Sequence, residues 1–317
     1  MKISVALCTY NGEKFLREQI DSILNQSVSV GEIVVCDDCS TDTTTIILKE
    51  YHQKYPELFR IFINEKNLKS NVNFEKAIGL TTGDYIFLAD QDDKWRYDKV
   101  EKTIKVFSEN PSAEGVFSNA DLMDEKSNKI DTKLDLWSNI NFFISLNGEK
   151  IDLYKSLTYI GNFVTGATLC LKKEVKDFGL PFQTSSSFLH DEWLALILCS
   201  RNTLYYSEER LMSYRLHTNQ QVGMGKIKNK SNALQDKENY TKLMLGLVEP
   251  NNYSESKKIL KRTVSQYHKY SDLNVIFSNS LFNTNIDLLF SKYKKIELLM
   301  QRQNPMLFYF RKKKLKI

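Results

Sequence analysis

Residues 85–93 read YIFLADQDD, and this short segment decides the class of fold. Five hydrophobic residues, Tyr85 to Ala89, lead directly into Asp90-Gln91-Asp92-Asp93. A hydrophobic run of this length between polar residues is typical of a strand buried on both faces of a sheet. Three carboxylates within four residues repel one another, so a fold keeps them together where they bind a partner. We therefore expect this acidic loop to end a buried strand and to bind a ligand.

Strand and helix patterns alternate along the chain on both sides of this segment. Strands are predicted at 3–8, 32–36, 59–63, 85–89, 115–120, 166–171, 204–206 and 211–216, and helices at 11–26, 41–55, 71–80 and 190–200. Asn11 is the predicted cap of the first helix, and Ser40 or Thr41 that of the second. Buried strands separated by helices predict an α/β fold, with a mostly parallel sheet and helices on both faces. Ligands of such sheets bind beyond the carboxyl ends of the strands.

The composition is that of a folded soluble protein, with 42% hydrophobic and 26% charged residues among 317. Five cysteines, no recognisable leader and no hydrophobic run of about 18 residues predict free thiols and a cytoplasmic location. Neither GxGxxG nor GxxxxGK[ST] occurs, which argues against dinucleotide and P-loop sites. The loops are acidic where a nucleic acid would require cations, so we expect no nucleic-acid partner.

The amino-acid composition of the chain changes near residue 225. Glycine becomes rare and helical Lys/Leu/Asn-rich stretches follow, so we predict a catalytic domain over 1–225 and a helical C-terminal region over 226–317. Within the first domain we expect a nucleotide-sugar half, about 1–120, and an acceptor half, about 121–225. Residues 306–317 join a hydrophobic patch to a basic run, a combination that suits an anionic membrane surface or, alternatively, a disordered soluble terminus.

The acidic segments carry the predicted chemistry. Asp90-Gln91-Asp92 places two carboxylates on one loop, and such oxygen ligands suit Mg²⁺ or Mn²⁺ beside a diphosphate. The alternative is a charged, solvated turn. Asp37-Asp38 ends the second strand, where a carboxylate can bind a nucleobase or a ribose, or else favour the dipole of the next helix.

Two later segments supply the remaining candidates. Asp191 stands at the start of a predicted helix, where it can act as a general base or as a helix cap. Arg215 and His217 follow a strand, and an arginine and a histidine near an acidic site can bind phosphate or a metal.

Read together, these segments resemble family-2 glycosyltransferases of the GT-A fold, and most closely the bacterial rhamnosyltransferase-type members. The resemblance covers about residues 1 to 222. It rests on five segments in the order of the family, which are ISVALCTYN (3–11), VCDDCSTD (35–42), GDYIFLADQDDKW (83–95), HDEW (190–193) and YRLH (214–217).

The resemblance implies a role for each matching position. Tyr10 would lie against the nucleobase and Asp38 would bind its imide or the ribose, and the rest of the nucleotide-sugar site would comprise Thr9, Asn11, Asp90, Gln91 and Arg215. Asp92 would bind Mg²⁺ or Mn²⁺ directly, with Asp93 and His217 completing the metal site. Asp191 would be the catalytic base. Glu-Asp is the commoner pattern there and this chain has His190-Asp191, so Glu192 is the reserve candidate.

The implied activity is metal-dependent, inverting transfer of a sugar from dTDP-rhamnose or a UDP-sugar. The acceptor would be a hydroxyl of a glycan or of a polyprenyl-linked saccharide in bacterial capsule, O-antigen or cell-wall synthesis, and the enzyme would lie in the cytoplasm or against the inner face of the plasma membrane. A non-catalytic nucleotide-sugar-binding module would lack the base. A nucleotidyltransferase would require a glycine-rich basic loop after the first strand, which residues 9–13 do not resemble. The sequence does not define the oligomeric state.

Overall fold

The computed structural model describes residues 1–130, 135–136, 162, 164–182 and 189–217, and these build one sheet of eight strands in the order β3-β2-β1-β4-β7-β6-β8-β5. The strands are β1 (Ile3–Thr9), β2 (Glu32–Asp37), β3 (Phe59–Ile63), β4 (Tyr85–Asp90), β5 (Lys94–Trp95), β6 (Gly115–Met123), β7 (Leu169–Lys172) and β8 (Leu204–Arg215). The helices are α1 (Leu16–Leu24), α2 (Thr44–Lys54), α3 (Lys69–Leu80), α4 (Lys99–Glu109), α5 (Val175–Gly179) and α6 (His190–Ser200).

The N-terminal half of the sheet is parallel, as the sequence predicts. β1 pairs in parallel with β2 and with β4, and β2 pairs in parallel with β3. Every residue of β1 and β2 is buried, so both faces of the sheet are covered at its centre. The carboxyl ends of β1, β2 and β4 therefore meet at one edge, which carries residues predicted to bind the nucleotide sugar.

The C-terminal half of the sheet is mixed rather than parallel. β7 is antiparallel to β4 and to β6, β8 is parallel to β6, and the short β5 is antiparallel to β8. Residues 204–215 form one strand where two were predicted, because an irregular register opposite Ser118 to Asp121 interrupts the hydrophobic pattern without ending the strand. The strand predicted at 166–171 begins only at Leu169, and Gly166–Thr168 form a 3₁₀ turn before it.

The predicted helix caps are wrong, although the helices are present. Asn11 lies four residues before the Phe15 cap of α1, in a left-handed conformation with φ 49°. Its side-chain oxygen accepts the Thr41 N–H at 2.8 Å, so it joins two loops. α2 begins at Thr44, whose N–H donates to Asp42 at 2.9 Å, while the Ser40 hydroxyl donates to Asp37.

The boundary near residue 225 and the helical region over 226–317 lie outside the described residues and remain predictions. No helix among the described residues combines the length and hydrophobicity needed to cross a membrane. All five cysteines are free thiols, and only Cys39 of them is not buried.

Candidate active site

Hydrogen bonds between side chains tie the loops after β1 and β2 together. Asp37 is fully buried, and its carboxylate accepts the hydroxyls of Thr9 at 2.7 Å and of Ser40 at 2.6 Å. Thr9 is buried as well and its hydroxyl is engaged in this network, while its predicted contact with a nucleotide sugar remains a prediction. Asn11 belongs to the same network through Thr41.

Gln91 joins the acidic loop to the loop after β1. Its side-chain oxygen accepts the Tyr10 N–H at 2.7 Å, and its amide donates to the Tyr10 carbonyl at 2.9 Å. A Cβ at Gly12 would lie 2.2 Å from the Gln91 oxygen, so a larger residue there would displace this side chain. Gln91 therefore positions Tyr10, and its predicted contact with the nucleotide sugar remains a prediction. The Tyr10 hydroxyl has no hydrogen bond within the described residues, which leaves this half-buried side chain able to meet a ligand.

Asp38 organises the start of α3. Its carboxylate accepts Asn64 at 3.0 Å and the backbone N–H groups of Leu68 at 2.7 Å and Lys69 at 2.9 Å. A carboxylate has about four acceptor positions. Three are thus in use, and the predicted contact with a nucleobase or ribose would occupy the fourth.

Asp90 lies close enough to Asp92 and Asp191 for the charges of both to act on its carboxyl group. Burial, together with the charges of Asp92 and Asp191, raises the pKa of Asp90 to about 8, and Lys99 acts in the opposite direction. Asp90 accepts no hydrogen bond from any described residue, although it is half-buried. Asp92 approaches His217, with Oδ2 and Nε2 at 2.8 Å. A polar rim at the carboxyl edge of the sheet therefore joins residues that are far apart in sequence.

Asp93 lies behind this rim and is 1% exposed. Its Oδ1 accepts the Arg215 N–H at 3.0 Å, whereas Oδ2 is buried and has no hydrogen-bond partner. Burial, reinforced by the neighbouring Asp92 and Asp90, raises the pKa of Asp93 well above its ordinary value. A buried carboxylate oxygen without a donor requires a proton or a cation.

Arg215 is fully buried, and its guanidinium is engaged within the protein. It donates to the carbonyl of Asp92 at 2.7 Å, to Ser127 at 2.9 Å and to Glu18 at 2.6 Å, and it stacks on the ring of Phe15. The predicted direct contact between Arg215 and the nucleotide sugar remains a prediction. Arg215 holds the acidic loop in place from behind.

The residues present fit a divalent cation with few protein ligands. The described residues contain no group of three or more His, Cys, Asp or Glu side chains arranged to hold a metal. Asp92 and His217 form a close pair, and the oxygen of Asp93 that lacks a donor lies on the same loop. Mg²⁺ typically uses one or two carboxylates and takes its other ligands from water and phosphate, so this donor set suits a site completed by a diphosphate.

Asp191 is held from two directions at the start of α6. Its Oδ2 accepts the Gly166 N–H at 3.1 Å, and its Oδ1 accepts the Glu192 N–H at 2.7 Å and the Asn162 amide at 3.2 Å. Burial raises the pKa of Asp191 to about 6, although these hydrogen bonds act in the opposite direction. The cap position of α6 is Leu189, so the alternative of a capping role for Asp191 is not supported.

His190 packs into the interior beside the candidate base. Its ring stacks on Phe74 with centroids 4.1 Å apart, and neither ring nitrogen has a hydrogen-bond partner. Burial lowers the pKa of His190 to about 3, so the imidazole is neutral. A Cβ at Gly166 would lie 2.7 Å from Nε2 of this ring, which makes glycine necessary at the position that binds Asp191.

Sequence reasoning missed several residues that complete this arrangement, namely Glu18, Lys99, Asn162, Gly166 and Tyr214. Tyr214 is buried, and its pKa is raised well above the ordinary value by burial and by the charges of Asp93, Asp90, Asp92 and Asp191. Of these five residues, Tyr214 lies within the YRLH segment, and Lys99 follows the GDYIFLADQDDKW segment by four residues. Nothing in the local sequence distinguishes Asn162 or Gly166 from ordinary loop residues.

A covered sheet that ends in an acidic loop, faced by a buried aspartate at a helix start, defines the GT-A class of glycosyltransferases. Residues 4–162 match glycosyl transferase family 2, and the chain, half of which lies in this match, belongs to that family.

Named relatives place this membership among bacterial enzymes. The dTDP-rhamnosyl transferase RfbG of Shigella flexneri is 29% identical over 232 residues, which cover 68% of this chain and 73% of RfbG. The putative teichuronic acid biosynthesis glycosyltransferase TuaG of Bacillus subtilis is 35% identical over 111 residues, covering 35% of this chain and 44% of TuaG. The matched segment thus spans less than half of TuaG, and it spans 32% of the mycobacterial relative Mb1547.

Solved structures share the fold. TarS of S. aureus in complex with UDP-GlcNAc superposes with a TM-score of 0.62 at 15% identity, over 98% of this chain and 87% of TarS. The mannosyltransferase PcManGT of Pyrobaculum calidifontis, in complex with GDP-Man and Mn²⁺, gives a TM-score of 0.54 at 12% identity, over 96% of this chain and 88% of PcManGT.

Proposed function

We propose that this protein transfers a sugar from a nucleotide diphosphate donor to a hydroxyl group with inversion at the sugar carbon. The observation that carries the proposal is the environment of Asp191, a buried carboxylate with a pKa of about 6 whose charge acts on Asp90 of the acidic loop. A carboxylate with a pKa just below neutrality is ionised at pH 7 and still basic enough to accept a proton.

In this mechanism Asp191 accepts the proton of the acceptor hydroxyl. The oxygen forms a bond to the anomeric carbon while the bond between that carbon and the diphosphate oxygen breaks, and the nucleoside diphosphate leaves with the bonding electrons. A single carboxylate base and no covalent intermediate give inversion. When bound by Asp92 and His217, with Asp93 behind them, Mg²⁺ or Mn²⁺ supplies charge neutralisation for the departing diphosphate.

The donor we favour is dTDP-rhamnose or a UDP-sugar. The name of RfbG supports the first, and the UDP-GlcNAc complex of TarS, a structure of the same fold, is compatible with the second. Tyr10 lies against the nucleobase in this proposal, Asp38 uses its fourth acceptor position, and Asp90 binds the sugar. Thr9, Asn11, Gln91 and Arg215 support these residues through the contacts described above.

The acceptor we favour is a glycan or a polyprenyl-linked saccharide of a bacterial surface polysaccharide. TuaG, named for teichuronic acid biosynthesis, supports this choice. The proposed location is the cytoplasm, with residues 306–317 bound to the inner face of the plasma membrane through their basic run.

The decisive experiment measures transfer and donor hydrolysis with dTDP-rhamnose, UDP-glucose, UDP-galactose and UDP-N-acetylglucosamine in the presence of Mn²⁺ or Mg²⁺. We expect Asp191→Asn to lose at least about a thousandfold in kcat, since the base is removed, while nucleotide binding is retained. The matched control is Asp177→Asn, which changes an exposed aspartate of α5. Near-normal turnover of Asp191→Asn would show that another group is the base.

A thermal shift with nucleotide and Mn²⁺ separates this function from its rivals. We expect Asp92→Ala to abolish the additional stabilisation that Mn²⁺ gives in the presence of nucleotide. A binding module would show that stabilisation without turnover of any donor, and a nucleotidyltransferase would release pyrophosphate instead of a nucleoside diphosphate.

A further inference from the structure

Lys99, the first residue of α4, is a buried lysine for which the mechanism above has no use. It is 1% exposed, which is rare for a lysine unless its ammonium group has specific partners. Burial lowers its pKa to about 7, and the charges of Asp93 and Asp90 act in the opposite direction. Keeping an ionisable group in such a place is costly, so its contacts require an explanation.

The partners of Lys99 come from three separate elements. Its Nζ donates to the carbonyl of Ala167 at 2.7 Å, lies 3.5 Å from the sulfur of Met212, and stands 4.2 Å from the centre of the Trp95 ring. Ala167 belongs to the 3₁₀ turn, Met212 to β8 and Trp95 to β5. One nitrogen atom therefore contacts three elements that are far apart in sequence.

Each of these elements delivers a different part of the candidate active site. β5 follows immediately after the acidic loop, with Trp95 two residues beyond Asp93. β8 ends in Arg215, whose N–H binds Asp93, and leads to His217. The 3₁₀ turn contains Ala167 and, just before it, Gly166. The N–H of Gly166 donates to Asp191. Lys99 is thus linked to Asp191 through Ala167 and Gly166, and to the acidic loop through Trp95.

We propose, on the basis of the function proposed above, that Lys99 is a positioning residue that fixes the base Asp191 relative to the acidic loop. It does so by holding the carbonyl of Ala167 against β5 and β8. Neither substrate nor metal need touch it, because its Nζ is enclosed by Ala167, Met212 and Trp95. Displacement of a catalytic group by about 1 Å can cost about a hundredfold in rate, so the loss of this contact acts on the chemical step.

The test compares Lys99→Met and Lys99→Arg with the full-length wild-type protein. Methionine retains a chain of similar length but can neither donate to Ala167 nor carry charge. We expect kcat to fall on the order of 10- to 100-fold for Lys99→Met, with Lys99→Arg intermediate, and donor Kd to change less than about threefold. A lysine that served stability alone would leave the kcat of the folded protein unchanged, and that result would overturn the proposal.

Lys105→Met is the matched control, because Lys105 lies on the same helix and is 66% exposed. It should leave kcat, donor binding and stability at wild-type values. If Lys99→Met does not fold, Lys99→Arg decides the question, since it retains the charge but moves the donor. A kcat for Lys99→Arg equal to that of the wild type would then contradict the positioning role.

Amide hydrogen exchange tests the same contact without any activity. We expect faster exchange at residues 165–168 and at the start of α6 in Lys99→Met, and no change in Lys105→Met. Unchanged exchange in Lys99→Met would overturn the proposal. Failure of the wild-type protein to turn over any donor would count against the proposed function, while the exchange result would still decide the role of Lys99.

Discussion

At the scale of single residues, the properties of Asp191 result from two opposed effects. Removal from water raises the pKa of the carboxyl group, and hydrogen bonds from Gly166, Glu192 and Asn162 lower it, which leaves a value of about 6. The same hydrogen bonds fix the orientation of both oxygens. The environment thus sets both the protonation state of Asp191 and the direction in which this proposed base would accept a proton.

This balance predicts the pH dependence of catalysis. Only ionised Asp191 accepts a proton, so kcat/KM should rise with pH through about 6 and level off above it. Asn162→Ala removes a hydrogen bond that favours the ionised form, so the acidic limb should move to higher pH. The measurement is a pH–rate profile, with Asn25→Ala, a change at an exposed position, as the control. A limb that stays in place, or moves to lower pH, would contradict this role for Asn162.

The candidate site could be predicted in part from the sequence. The placement of Asp38 and Asp90 at one edge of the sheet followed from motifs at strand ends, because the ends of parallel strands share an edge. The contacts of Thr9, Gln91 and Arg215 did not follow, since a motif gives the position of a side chain but not the partner that it selects. Lys99 and Asn162 act through contacts with residues distant in the chain, and no local pattern indicates such contacts.

At the scale of elements, buried charge links the sheet to its loops. Glu32 of β2 is 3% exposed and accepts hydrogen bonds from Ser4, Thr82 and Arg60. Burial raises its pKa, but these bonds outweigh burial and lower it to about 2, below the ordinary value of 4.5. Glu32 therefore joins β2 to β1 and to the turn before β4.

Glu32→Gln should lower the free energy of unfolding by about 2 kcal/mol at pH 7, because hydrogen bonds to a charged acceptor are lost. The depressed folded pKa contributes stability above about pH 4.5, and this contribution disappears as pH falls towards 2. The difference in unfolding free energy between wild type and variant, measured by urea unfolding, should therefore become smaller as the pH falls through that range. Glu57→Gln, at an exposed position, is the control. A gap independent of pH would show that the charge of Glu32 is not responsible.

Arg215 offers a second test at this scale, since it ties β8 to the acidic loop and to α1. Arg215→Met removes the donor to the Asp92 carbonyl and one of the donors to Glu18, which keeps Lys94 and Ser127, and we expect a loss of about 3 kcal/mol in unfolding free energy. Arg17→Met breaks the ion pair with Glu50, in which both side chains are about half exposed, and should cost less than about 1 kcal/mol. Equal losses in the two variants would contradict the role of Arg215.

The sheet itself was predictable to a limited extent. Hydrophobic runs located β1 to β4 because strands buried on both faces are continuous in sequence. The antiparallel placement of β7 and the two-residue β5 were not predictable, since short strands carry little pattern and their partners lie far away. The helix caps failed because Asn11 binds Thr41 in the loop after β2 and Ser40 binds Asp37 at the end of β2, so neither caps the helix that follows it.

At the scale of the whole molecule, the basic run over 311–316 predicts binding to anionic lipid. Full-length protein should float with phosphatidylserine vesicles at low salt, and replacement of Lys312, Lys313, Lys314 and Lys316 by glutamine should abolish flotation. Glutamine at four exposed lysines elsewhere, Lys49, Lys54, Lys66 and Lys105, removes the same charge and should not. Equal flotation of the two variants would assign binding to net charge alone.

The path of β8 also sets an order of events during synthesis. The acidic loop emerges early, but the N–H group that binds Asp93 and the imidazole that meets Asp92 belong to residues 215 and 217. A ribosome-bound chain that ends before residue 215 contains Asp92 and Asp93 but lacks the Arg215 N–H and the His217 imidazole. Such a nascent chain has no completed donor site, so it would not sequester nucleotide sugar before the catalytic domain has been translated.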